Sequence, residues 1–165
     1  MIILGIDPGT ARMGYGVIES NGDSRLIDAG VLESPANASM PERLRMLYDQ
    51  ICEQLERHRP GVLAVEQLFF ARNVTTAISV GQARGVVLLA AAQRGLLVQE
   101  YSPSEVKHSI VGYGKAEKSQ IQEMVRIILH LDAIPASDDA ADAIAVAICH
   151  AHHTSGYGSY LNTGR

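Results

Sequence analysis

The chain has only two cysteines in 165 residues, Cys52 and Cys149, and they lie far apart. That excludes a disulfide framework and a zinc-ligand spacing, so both read as reduced core thiols. Basic charge is also short: 14 Lys and Arg against 18 Asp and Glu leave a net charge of −4. A strongly basic chain, the simplest mark of a nucleic-acid binder, is therefore excluded. No run reaches the ~18 apolar residues that a membrane span needs. The apolar opening Met1-Ile2-Ile3-Leu4-Gly5-Ile6 has no basic start and runs directly into Asp7, so it does not read as a signal peptide. No Gly-Lys-Ser/Thr follows Gly5-Ile6-Asp7-Pro8-Gly9-Thr10, which excludes a Walker loop. There is no internal repeat. What is present, 47% hydrophobic and 19% charged residues, describes a core-forming globular chain. The expectation is one soluble, cytoplasmic domain over residues 1–151, with a loose tail at 152–165.

Apolar runs and turn residues order the rest. Residues 2–7 read as a short buried strand that breaks at Asp7-Pro8-Gly9-Thr10. Two further strands at 13–19 and 25–32, joined by Asn21-Gly22-Asp23, make an antiparallel hairpin. Pro41 opens a helix to about residue 58, with Leu44, Leu47, Ile51 and Leu55 at helical spacing. A buried strand at 62–65 ends in Glu66, a helix spans 75–94 before Gly95, and a fifth strand covers 96–100. Helices follow at 103–111, 117–131 and 139–151, the last rich in alanine. The fold class is α/β: a five-stranded mixed sheet, its first three strands antiparallel, flanked by helices.

Two of these strands end in acids, Asp7 and Glu66. If they are parallel neighbours, the carboxylates lie close together at the ligand-binding end of the sheet. Two partly desolvated carboxylates at that distance stay ionised only with a cation between them. Asp139 and Asp142, three apart, share a face of the last helix. Helix-dipole complementation accounts for Asp138 but poorly for Asp142, a turn further in among alanines. The spacing to Asp142 selects Asp139 over its neighbour Asp138. Four carboxylates without histidine or cysteine form an oxygen-only site suited to Mg²⁺ or Mn²⁺. Such a site suits phosphodiester hydrolysis with two ions. Gly9 reads as a turn residue, and Gly14 and Gly16 as points of close backbone approach.

The motifs Gly5-Ile6-Asp7-Pro8-Gly9-Thr10, Val65-Glu66-Gln67, Gly81-Gln82-Ala83-Arg84-Gly85, Gly114-Lys115-Ala116-Glu117-Lys118-Ser119 and Asp139-Ala140-Ala141-Asp142-Ala143 occur in this order. Over residues 2–150 the chain resembles the RuvC family of bacterial Holliday-junction resolvases. The resemblance implies an RNase H-like fold and a homodimer. It also implies paired symmetric nicking of four-way DNA junctions with two divalent ions per site, alongside the branch-migration proteins RuvA and RuvB. The family's catalytic and metal-binding acids fall on Asp7, Glu66, Asp139 and Asp142. Its DNA-facing lysines fall on Lys107 and Lys118, and its stacking aromatic on Phe69.

Residues 61–130 carry a local excess of basic over acidic side chains, although the whole chain is acidic. Arg72, Arg84, Lys107, Lys115 and Lys118 can form a basic face for phosphates. Phe69, beside Phe70, would wedge or stack at an opened base step. The helix at 75–94 is apolar on more than one side, so one face is expected on the sheet and another on a second copy, with Gly81 and Gly85 allowing close approach. His150, His152 and His153 read as solvated residues. Two other readings stay open: an RNase H-like nuclease acting on RNA, and a junction-binding scaffold with structural acids.

Overall fold

Gly22, at φ 103°, turns the chain back between two long strands, as the Asn-Gly-Asp sequence requires. The structure, a computed structural model, describes residues 1–68 and 74–155. Its elements are β1 (Ile2–Asp7), β2 (Arg12–Asn21), β3 (Asp23–Glu33), α1 (Met40–His58), β4 (Val62–Glu66), α2 (Val74–Ala92), β5 (Leu97–Tyr101), α3 (Pro103–Val111), α4 (Lys118–Ile128) and α5 (Asp138–Thr154). The sheet order is β3-β2-β1-β4-β5. Within it β1–β2 and β2–β3 are antiparallel, while β1–β4 and β4–β5 are parallel. The mixed five-stranded sheet with three leading antiparallel strands is thus the observed architecture.

The strands alternate between two cores, as a period of two dictates. Ile3 faces α3, α4 and α5 together with Ile18, Val62 and Ala64. Leu4 and Ile6 face the other way, toward Leu47, Ile51 and Leu55 of α1 and Ala83 and Val87 of α2. Glycine lets α5 lie unusually close to the sheet. A Cβ on Gly5 would stand 2.1 Å from the Ala143 carbonyl oxygen, one on Gly14 1.9 Å from that of Asp139, and one on Gly16 2.6 Å from Ile144 Cγ1. Small residues on both partners set this spacing, and it fixes where the first turn of α5 sits over β1 and β2.

Gly9 stands at the expected turn, just before the bend at Thr10 and Ala11. Its φ is not positive; a Cβ there would stand 2.1 Å from the Arg12 carbonyl oxygen, so the requirement is steric. Element ends moved. Glu117 caps α4 from outside, and Leu129 and His130 leave the helix, His130 at φ 52°. α2 stops at Ala92 before Gly95 at φ 61°. α5 continues to Thr154, so His152 and His153 are helical and not part of a tail. His150 is buried, with Nδ1 hydrogen-bonded to Tyr101 Oη at 2.7 Å, which replaces the solvated reading. By length and composition α2 is apolar enough to cross a membrane, contrary to the sequence expectation, with mean hydropathy 1.4. Its Ala83, Val87, Ala90 and Ala91 are nevertheless buried in the core beside α1.

Candidate active site

The β1–β4 register pairs Ile6 with Val65, which brings the two strand ends, Asp7 and Glu66, side by side. Both strands are hydrophobic up to these acids, so the carboxyls sit where buried sheet gives way to an opening. With Pro8, Gln67, Leu68, Val80, Arg84 and Pro103 they line a cleft of about 250 Å³. Such openings at the carboxyl ends of parallel strands are where α/β sheets bind ligands.

α5 supplies the remaining acids. Asp142 lies near enough to Glu66 and Asp7 to raise the pKa of each, and Asp139 near enough to raise that of Asp7 and Asp142. Burial is the largest cause in all three cases. Asp7 is pushed up to about 7, by burial first and then by Glu66, Asp142 and Asp139. The Glu66 carboxyl is also held above its usual range by burial and by Asp142, with Lys107 pulling it back. Asp142 is raised by burial, against the pull of Lys118. Clustered acids repel and resist ionisation, and these are arranged to do so.

Cationic side chains compensate for part of this. Lys118 Nζ stands 3.1 Å from Asp142 Oδ2 and 3.3 Å from Asp138 Oδ2. Arg12 Nε donates to Asp139 Oδ2 at 2.8 Å. Asp138 accepts from Gln122 Nε2 at 2.7 Å and shares Lys118 with Asp142, whose pKa it also raises. Among the described residues, no three acidic, imidazole or thiol groups converge closely enough to hold one ion as they stand. Asp139 accepts from Arg12, and Asp142 pairs with Lys118. The chemistry of the donor set nonetheless fits a hard divalent cation, since the acids offer oxygen alone and a cation among them relieves their repulsion.

The basic residues divide. Lys107 and Lys118 are near the acids, acting electrostatically on Glu66 and on Asp7 and Asp142 respectively. Arg84 lines the cleft but is paired, its Nη2 2.5 Å from Glu100 Oε2, and its Nε is buried without a hydrogen bond. It is less available to a phosphate than an open cation would be. Lys115 is exposed between α3 and α4 and makes no ion pair among the described residues. Phe69 and Arg72 lie outside the described residues. Arg12, Glu33 and Glu100 carry no motif signal in the sequence. Arg12 meets Asp139 across 127 positions, and no local pattern marks such a pair.

Comparison with known proteins completes the picture. Residues 3–150 match the family model for crossover junction endodeoxyribonuclease RuvC. The chain is similar to the crossover junction endodeoxyribonuclease RuvC of Desulfitobacterium hafniense, with 60% identity over 153 residues, covering 92% of this chain and 93% of that one. It is also similar to that of Roseiflexus sp., with 57% identity over 150 residues, 90% of this chain and 89% of the other. The structure superimposes on Thermus thermophilus RuvC in complex with Holliday junction substrate with a TM-score of 0.89 and 38% identity, covering 93% and 94% of the two chains. The yeast mitochondrial Holliday junction resolvase Ydc2, 17% identical with a TM-score of 0.70, shares the fold. With a family model spanning nearly its whole length and relatives of such high identity, the chain belongs to the crossover junction endodeoxyribonuclease RuvC family.

Proposed function

We propose that this protein resolves Holliday junctions by hydrolysing phosphodiesters in two like strands of four-way DNA, using the site built from Asp7, Glu66, Asp139 and Asp142. The observation that carries the reading is the meeting of Asp7 and Glu66 at adjacent parallel strand ends, beneath Asp142 of a helix that glycines allow to lie against the sheet. These four carboxylates would hold Mg²⁺ or Mn²⁺, two per site. Such ions, when bound, supply positive charge for the attacking water and for the leaving 3′ oxygen.

The chain's own residues prepare that chemistry. Burial keeps Asp7 and Glu66 poorly hydrated, so a cation among them is favoured over water. Lys118 and Lys107 offset the repulsion among the acids and place positive charge at the rim, where DNA phosphates would approach. Arg84 and Lys115 would extend this basic rim, and Phe69 and Arg72 would meet the DNA from the segment after β4.

α2 supports a homodimer. Val74, Ile78 and Leu89 are exposed apolar residues on it, and a Cβ on Gly85 would meet nothing within 4 Å. A two-fold pair would offer two sites to two like strands. RuvA and RuvB would be its partners in the bacterial cytoplasm, where the DNA lies.

The test compares wild type with Asp7→Asn on a four-way DNA junction and on an RNA duplex. The expected result is loss of cleavage by at least about 10²-fold with junction binding retained, since Asp7 acts on the reaction and not on the grip. Wild-type cutting rates in the variant, or a preference for the RNA duplex, would contradict the reading.

A further inference from the structure

Arg12 is the first residue of β2, and the β2–β3 register sets it directly opposite Glu33, the last residue of β3. Its Nη1 lies 2.6 Å from Glu33 Oε1 while its Nε donates to Asp139 Oδ2 at 2.8 Å. A third contact, Nη2 to Ser137 Oγ at 3.5 Å, reaches the cap of α5. Three elements, β2, β3 and α5, thus converge on one guanidinium at the edge of the acid cluster. The planar fork of arginine fixes direction as well as distance, which an ammonium would not.

We propose that Arg12 is a positioning residue for Asp139, held by Glu33 so that it orients the carboxylate at the cluster without neutralising it. Ligating carboxylates are commonly held by hydrogen-bonding partners outside the coordination shell, and loss of such a partner weakens metal binding. Charge balance distinguishes this arrangement from a competing cation. An isolated arginine would satisfy Asp139 and reduce its hold on a divalent ion. Here one positive charge is shared between two carboxylates, so the group Glu33–Arg12–Asp139 keeps a net negative charge for the site. Arg12 also engages Oδ2 of Asp139, one of two carboxylate oxygens. Steric constraint gives the contact its fixed base: with Gly14 backed directly against the Asp139 carbonyl, the first turn of α5 has little freedom to shift away from β2.

This inference rests on the proposed function, because it takes Asp139 to be a metal ligand. Mn²⁺ titration by calorimetry, read beside the Mn²⁺ dependence of junction nicking, tests it on wild type, Arg12→Ala, Arg12→Lys, Glu33→Gln and Asp139→Asn. Arg12→Ala is expected to need about 10–100-fold more Mn²⁺ for half-saturation. Its turnover at saturating Mn²⁺ should recover, and its junction binding in chelator should stay within a few-fold of wild type. Arg12→Lys should restore part of the affinity, and Glu33→Gln should lose less than Arg12→Ala. A merely structural role would lower the thermal midpoint and leave the Mn²⁺ affinity where it was. Wild-type or tighter Mn²⁺ binding by Arg12→Ala, with Asp139→Asn impaired, overturns the role given to Arg12 alone. If Asp139→Asn also binds Mn²⁺ and nicks like wild type, the assignment of Asp139 to the site falls with it.

Discussion

A carboxyl that titrates near 7, as Asp7 does, opposes folding whenever it ionises. Its folded pKa lies above the ordinary value of 3.8, so the folded chain binds the proton more tightly than the unfolded chain. The stability this gives is complete at low pH and is lost as pH rises toward and through about 7. Asp7→Asn keeps the shape and removes the charge. In chelator at pH 8 the variant should therefore melt above wild type, by about 2–4 °C for each kcal/mol of repulsion relieved. The gap should close near pH 4. Thermal unfolding followed across pH checks this, and a variant less stable than wild type at pH 8 would contradict it. Under the proposed function the same substitution removes cleavage, so a residue needed for the chemistry would be one the fold tolerates at a cost.

At the scale of elements, the placement of α5 decides the site. Gly14→Ala would put a methyl 1.9 Å from the Asp139 carbonyl oxygen, a contact with backbone that no side-chain rotation relieves. The helix start must then move, taking Asp139 and Asp142 with it. The variant should lose about 1–3 kcal/mol of stability and most of its nicking activity, whereas Gly85→Ala should keep its fold. Urea unfolding and junction cleavage measure the two effects; an active, stable Gly14→Ala would show that the helix has room to spare. Much of this layer was legible in advance. The acid-ended strands, the hairpin glycine, the alanine-rich helix and the glycines facing it are local signals, and each has one physical meaning. Other features were not legible. The Arg12–Asp139 and Arg84–Glu100 pairs depend on sheet register and helix rotation, which join residues distant in sequence. His150 reads as solvated from its place beside the expected tail, but α5 continues to Thr154 and buries it against Tyr101. Gly9 marks a turn in the sequence, but the Arg12 carbonyl that excludes a side chain there comes close only in the folded chain.

The whole molecule has two surfaces that matter to the account. One is the cleft with its acids and lysines; the other is the exposed apolar line on α2, through Val74, Ile78 and Leu89. Leu89→Asp puts a charge on that line at a position 52% exposed in the single chain, so it should not disturb the fold. If α2 meets a second copy, the variant should run as a monomer in light scattering and nick junction strands singly instead of in pairs. An unchanged dimer would place the two-fold contact elsewhere. Beneath both surfaces lies one claim: buried, mutually repelling carboxylates are kept in this fold for the divalent ions they hold over DNA. A titration of Mg²⁺ or Mn²⁺ into a nicking assay on four-way DNA addresses it most directly. Junctions should stay intact in chelator and be nicked in pairs as metal rises to saturation; cleavage that proceeds equally well in chelator would contradict that claim.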